Sequence, residues 1–199
     1  MYRRKKRVYV ARNGVSIDEF LNTQEDKEIK RYKPCAVFHG LYTYKPNNVA
    51  IKFIIEKIAP KLPELHFIIF GKGSEIIKKE YKNLPKNVVV LGTVSKNRIA
   101  KILKACDIAV VPIFWGSGTN LKMIEYLAAG LTIVATPMAA RGLGLIPNKH
   151  FYLARKEEEF VNKIRFALEN KLDKKELIKK ATEFDWEKVL KKLVLIFRR

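Results

Sequence analysis

An open, doubly wound parallel sheet with helices on both faces is the α/β fold this 199-residue sequence predicts. Three observations carry that expectation. Strand-length runs are apolar throughout rather than alternating, as strands covered on both faces must be. Stretches of helical spacing separate them. Glycines stand at the ends of the runs, where tight strand-to-helix turns form. Right-handed crossovers then build a Rossmann-like sheet.

Residues 7–11 (RVYVA) are the first candidate strand, closed by an Asn13-Gly14 turn signal. Residues 36–39 (AVFH) are the second, and after Pro46 a helical stretch places Val49, Phe53 and Ile54 on one face. Residues 66–70 (HFIIF) end at Gly71 and Gly73, with a Lys/Glu-rich helix behind them. Residues 88–91 (VVVL) end at Gly92, and Ser95 reads as an N-cap before the periodic Ile99, Ile102 and Leu103. Residues 108–112 (IAVVP) lead into a glycine-rich loop, then a helix over 121–129 stopped by Gly130 as its C′ residue. Residues 132–136 (TIVAT) end at Pro137; after 151–153 the chain reads as helical. No repeat, low-complexity linker or composition break divides it, so one domain over 1–199 is expected.

Hydrophobic residues at 48% and charged ones at 30% exclude a disordered chain. Forty Lys and Arg against 20 Asp and Glu give a net charge of +20. That excess points to polyanionic partners (nucleic acid, an acidic membrane surface, phosphorylated small molecules) or simply to a lysine-rich surface. Cys35 and Cys106 cannot build a disulfide framework, and His39, His66 and His150 stand too far apart in sequence to suggest a metal cluster. The basic N-terminus lacks the apolar stretch of a signal peptide, and no run reaches the ~18 residues of a membrane span. The expected location is cytoplasmic.

Ligands of such sheets sit outside the carboxyl ends of the strands. Those ends carry His39-Gly40, Gly71-Lys72-Gly73, Gly92-Thr93-Val94 and Gly116-Ser117-Gly118-Thr119. The last loop opens a helix, whose first N–H groups and dipole favour an anion. Ser117 and Thr119 add hydroxyls, and Lys122 in the first turn is placed to reach a phosphate. No Gly-Lys-Ser/Thr follows at Walker spacing. Glu125 is the lone carboxylate of an otherwise apolar helix, so it needs a partner: the hydroxyls of a sugar or ribose, or a lysine of the core.

These residues carry a resemblance. PIFWGSGTNLKMIEYLAAGLTIVATPMAARGL resembles the donor-binding segment of GT-B glycosyltransferases of family 4, Gly-Ser-Gly-Thr-x-x-Lys-x-x-Glu-(small)-x-Ala-x-Gly-x-Pro-Val-Val-Ala. RVYVARNGVSIDEF, FHGLYTYKPNNVAIKFI, FIIFGKGSE, VVVLGTVSKNRIAKILKACDIAVVP and FDWEKVLKKL resemble the family's other landmarks, in the same order. The resemblance implies that Glu125 binds the ribose hydroxyls of a nucleoside-diphosphate sugar. It places the diphosphate against the backbone of Gly116, Ser117, Gly118, Thr119, Asn120 and Leu121, with Gly40 opposite, and the base near Thr93 and Val94. The Gly71 turn belongs to the same site. Transfer would be retaining and metal-free, with Lys45, Lys72 or Lys122 and the helix amides stabilising the leaving diphosphate; no catalytic residue and no cofactor are assigned. Ser117 stands where the commoner pattern has a glutamate, Leu41 and Pro46 where it has Arg and Lys, and Thr132 where it has Pro.

Relatives of this architecture have two similar domains, and the match begins where the N-terminal, acceptor-bearing one ends. The expectation is a donor domain lacking its acceptor domain. It would be a piece of a longer enzyme, a subunit paired with a separate acceptor-domain partner, or a noncatalytic scaffolding subunit. Basic clusters at residues 3–7, 171–180 and 188–199 come with no nucleic-acid motif, so no specific nucleic acid is expected. In the last segment Trp186, Val189, Leu190, Leu193, Ile196 and Phe197 form a stripe flanked by Lys188, Lys191, Lys192, Arg198 and Arg199. It reads as a core-packed closing helix, or as part of a basic surface that associates reversibly with an anionic membrane.

Overall fold

The computed structural model describes residues 12–197. Six strands, β1 (Cys35–His39), β2 (His66–Phe70), β3 (Val88–Gly92), β4 (Ile108–Val111), β5 (Thr132–Ala135) and β6 (Tyr152–Leu153), form one sheet in the order β3-β2-β1-β4-β5-β6. Every pairing is parallel. β1, β4 and β5 are buried at every position, whereas edge strand β3 alternates buried and half-buried residues. The candidate strand at 7–11 and the basic cluster at 3–7 lie outside the described residues. Otherwise the expected runs recur with shifted ends: β1 starts one residue earlier, β3 runs on to Gly92, β4 stops before Pro112, and 151–153 supplies the edge strand β6.

Helices α1 (Asp18–Leu21), α2 (Lys27–Lys30), α5 (Lys96–Ala105), α6 (Leu121–Ala129) and α9 (Lys174–Ala181) pack among themselves. α3 (Lys45–Phe53) continues with π-type winding over Ile54–Ile58 and meets α8 (Glu157–Glu169), which lies on β4 and β5. The buried side of α3 carries Asn47, Ala50 and Ile51 and continues through Ile54 and Ile58; Val49 and Phe53, expected to share the core face, lie on its half-buried flank. The Lys/Glu-rich helix behind Gly73 is a single turn, α4 (Ile77–Glu80), because Tyr81 turns to extended backbone. Short α7 (Pro137–Ala140) follows β5. Gly130 ends α6 in the left-handed region at φ 74°, its N–H bonding back to Leu127.

The Asn13-Gly14 pair leads from residues outside the described range into the bridge of Val15 with Asp185. A Cβ on Gly14 would lie 2.7 Å from the Trp186 ring, so glycine there admits the start of α10 (Trp186–Phe197). Of the stripe read along α10, Val189 is buried while Trp186 and Leu190 are 41% and 50% exposed. Among the described residues the helix packs on the turn Thr182–Phe184, with Val189 buried there. The side chains of Leu193, Ile196 and Phe197, with Lys192, Arg198 and Arg199, lie outside the described residues.

Candidate functional site

The strand order reverses between β1 and β4: from β1 the chain moves outward to β2 and β3, from β4 outward to β5 and β6. A crevice opens at such a switch point, at the carboxyl ends of the two strands. The β1–α3 turn begins with Gly40 at φ 155°, where a Cβ would lie 2.6 Å from the Asn47 side chain. A Cβ on Gly71 would come within 2.2 Å of the Gly40 carbonyl oxygen, so the turns after β1 and β2 pack backbone on backbone. The Tyr42 N–H donates to the Lys72 carbonyl at 2.9 Å and ties them further.

Across the crevice, residues 114–120 link β4 to α6. The Arg141 guanidinium donates to the Gly116 carbonyl at 3.2 Å, and Asn120 Nδ2 to the Ala139 carbonyl at 3.2 Å. Asn120 therefore occupies the N-cap position of α6 without capping its first-turn amides. The Tyr44 hydroxyl reaches over from the β1–α3 turn and accepts from the Ser117 N–H at 3.4 Å. Gly118 and Thr119 are exposed at the rim.

Glu125, one turn further along α6, is partly buried with 24% of its side chain exposed, its carboxylate 3.1 Å from His39 Nε2. The imidazole Nε2 is not aligned with that oxygen as a hydrogen bond requires. Burial pushes the Glu125 pKa up, but the neighbouring His39 and Lys122 charges outweigh it and hold the carboxyl below its ordinary value. His39 is fixed by stacking on Phe70 at 5.0 Å, by an edge contact with Tyr126 at 5.1 Å, and by its backbone N–H, which donates to the Tyr126 hydroxyl at 3.0 Å. Glu125 faces a cavity of about 150 Å³ that Gly14, Ser16, Leu121, Lys96 and Trp186 also line.

Lys122 departs from its expected reach toward a phosphate. Its ammonium is buried, donates to Asn47 Oδ1 at 2.6 Å and lies 4.8 Å from the Phe38 ring centre. Burial pushes its pKa down to about 8, the Glu125 carboxylate opposing the shift. Lys45, the first residue of α3, and Lys72 are exposed. The Thr93 hydroxyl donates to Glu75 at 3.3 Å, Val94 is half-buried, and neither lines the Glu125 cavity. The structure thus joins Gly40, Gly71, residues 116–121 and Glu125 at the switch point, and puts Thr93 and Val94 on the turn after edge strand β3, just before Lys96, which lines the Glu125 cavity.

Sequence reasoning found the acid but not its partner: His39 stood only as a strand end, although its place beside Gly40 was the available signal. Asn47, Tyr44 and Tyr126 gave none. Among the described residues no group of three His, Cys, Asp or Glu side chains is placed to hold a metal ion.

The family of glycosyl transferases group 1 matches residues 33–170, from the start of β1 through α8. The chain belongs to the group 1 glycosyltransferases. Its relatives include the phosphatidyl-myo-inositol mannosyltransferase of Mycobacterium tuberculosis, 23% identical over 64% of this chain and 34% of that protein. Another is the UDP-Gal:alpha-D-GlcNAc-diphosphoundecaprenol alpha-1,3-galactosyltransferase of Escherichia coli, 30% identical over 65% of this chain and 36% of that one. Through the matched region the chain thus spans about a third of the length of these two relatives. Among solved structures, Anabaena HepE in complex with UDP superposes at a TM-score of 0.72 and 15% identity, over 96% of this chain and 57% of that one. The group 1 chain therefore carries the Rossmann-like sheet of GT-B glycosyltransferases.

Proposed function

We propose that this chain is the donor-binding part of a retaining, metal-independent glycosyltransferase that binds a nucleoside-diphosphate sugar. One observation carries the reading: at the β1–β4 switch point an ionised, partly exposed carboxylate lies one turn beyond the uncapped N-terminus of the helix that bears it. A carboxylate is an acceptor only, so it suits two ribose hydroxyls; amides at a helix start suit a diphosphate. The lowered pKa keeps Glu125 in the accepting form at neutral pH.

In this reading the diphosphate lies between the Gly40 turn and residues 116–121, and the first-turn amides of α6 stabilise the charge that grows on it as the sugar leaves. Lys45 and Lys72 supply mobile positive charge from the rim. The base lies toward the Glu125 cavity and the Thr93–Val94 turn. The relative that holds UDP in its crystal structure supports a nucleotide in this sheet. Two relatives named for phosphatidyl-myo-inositol and for a diphosphoundecaprenol favour a glycan or lipid-linked acceptor. Calorimetry with UDP-, GDP- and ADP-linked sugars, repeated on Glu125→Ala, tests the proposal. One of them should bind and the variant should lose it; if all three fail with the wild-type chain, the donor reading is wrong.

A further inference from the structure

Lys122 is 9% exposed although it stands in the first turn of α6, where a lysine has open solvent nearby. Its Nζ donates to Asn47 Oδ1 at 2.6 Å, and Asn47 Nδ2 donates to the Leu41 carbonyl at 3.0 Å. The ammonium is a donor only, so it must face the amide oxygen of Asn47 and thereby turns the amide NH2 toward the β1–α3 turn. The next N–H along, that of Tyr42, is held by the Lys72 carbonyl at 2.9 Å. The Leu41–Tyr42 peptide is consequently pinned at both its oxygen and its nitrogen. This peptide immediately follows Gly40, opposite the uncapped start of α6.

A buried ammonium whose nearest partner is a neutral amide carries a large desolvation cost, and methionine would fill the same volume without it. Lys122 stands at a place where that cost has a use. The geometry points to Lys122 as a positioning residue: through Asn47 it holds the Leu41 carbonyl away from the crevice, so that the Gly40 turn presents no opposing oxygen to a bound diphosphate. The inference rests on the donor-site reading above. It assigns Lys122 a role beneath the site rather than a direct contact with phosphate, and it adds Asn47 as the link.

The test compares binding of UDP, GDP and ADP with that of uridine, guanosine and adenosine, by calorimetry on the wild-type chain, Lys122→Met, Asn47→Ala and the double variant. Circular dichroism establishes folding, and Lys122→Gln replaces Lys122→Met if the latter does not fold. Each single variant should lose about tenfold or more in affinity for the preferred diphosphate, the scale of one hydrogen bond to a charged group. Nucleoside affinity should stay unchanged, a separation that a merely loosened fold would not produce. Because the two side chains act in series, the double variant should lose no more than either single one. Unchanged diphosphate affinity, an equal loss on the nucleosides, or losses that add would each overturn the inference. A wild-type chain that binds no nucleotide would instead overturn the donor reading itself.

Discussion

Replacing Lys122 by methionine removes a buried charge, and the effect on stability has a definite pH dependence. The fall from the ordinary 10.5 to about 8 comes from burial. At about 1.4 kcal/mol per pH unit it amounts to about 3 kcal/mol against the charged form in the folded protein. Between pH 8 and 10.5 the unfolded chain keeps this proton while the native one has released it, so stability rises with pH across that window. Below pH 8 both states are charged and the full cost is present. Urea unfolding of the wild type and Lys122→Met, measured from pH 7 to 10.5, isolates the group because the remaining lysines and tyrosines titrate in both chains. The wild type should gain up to about 3 kcal/mol relative to the variant as the pH rises. A difference that stays flat, or that moves the other way, refutes the burial of a charged Lys122.

Three further outcomes follow from the same geometry. Exchanging His39 for leucine takes away a charge that holds the Glu125 carboxyl down, so the acid limb of nucleotide binding should move to higher pH, read by calorimetry across pH 4 to 7; an unmoved limb removes His39 from the site. Gly71→Ala sets a Cβ against the Gly40 carbonyl and should cost at least about 2 kcal/mol, against about 1 for Gly118→Ala, which meets open space; equal losses in urea unfolding would show that the two turns do not pack on each other. Exposed Trp186 and Leu190 with neighbouring Lys188 and Lys191 suit a shallow contact with anionic lipid, so flotation with anionic vesicles should fall as salt rises. Equal recovery with neutral vesicles would defeat that expectation.

The sheet was legible because parallel strands buried on both faces leave continuous apolar runs, and residues 66–70 and 108–111 show this most plainly. Gly130 was legible for an equally local reason, since a helix end in the left-handed region favours glycine. The site was legible only where chemistry and position coincide along the chain, as in the loop before α6 and in Glu125. What pairs with Glu125 was not, because His39 lies 86 positions away and only the β1–β4 neighbourhood brings the two together. Lys122 was misjudged for a related reason. Sequence places it in a first turn, but the side of that turn it occupies depends on α3 packing beside α6, and nothing in the spacing of α3 marks Asn47 as an acceptor.

The arrangement also separates two uses of positive charge that the net +20 conflates. Lys45 and Lys72 stand in solvent, where ions screen their pull over about 8–10 Å at ordinary salt. Charge there gathers anionic ligands without fixing their orientation. Lys122 is buried, and the first-turn amides of α6 are held by the helix itself, so their positions are set by packing. Where the resemblance leads one to expect Arg and Lys after the first glycine turn, this chain has Leu41 and Pro46, and its nearest cation there is the exposed Lys45. Orientation of a diphosphate must then come from fixed dipoles rather than mobile side chains. Holding the Leu41 carbonyl out of the way becomes more consequential here than in a site lined by arginine.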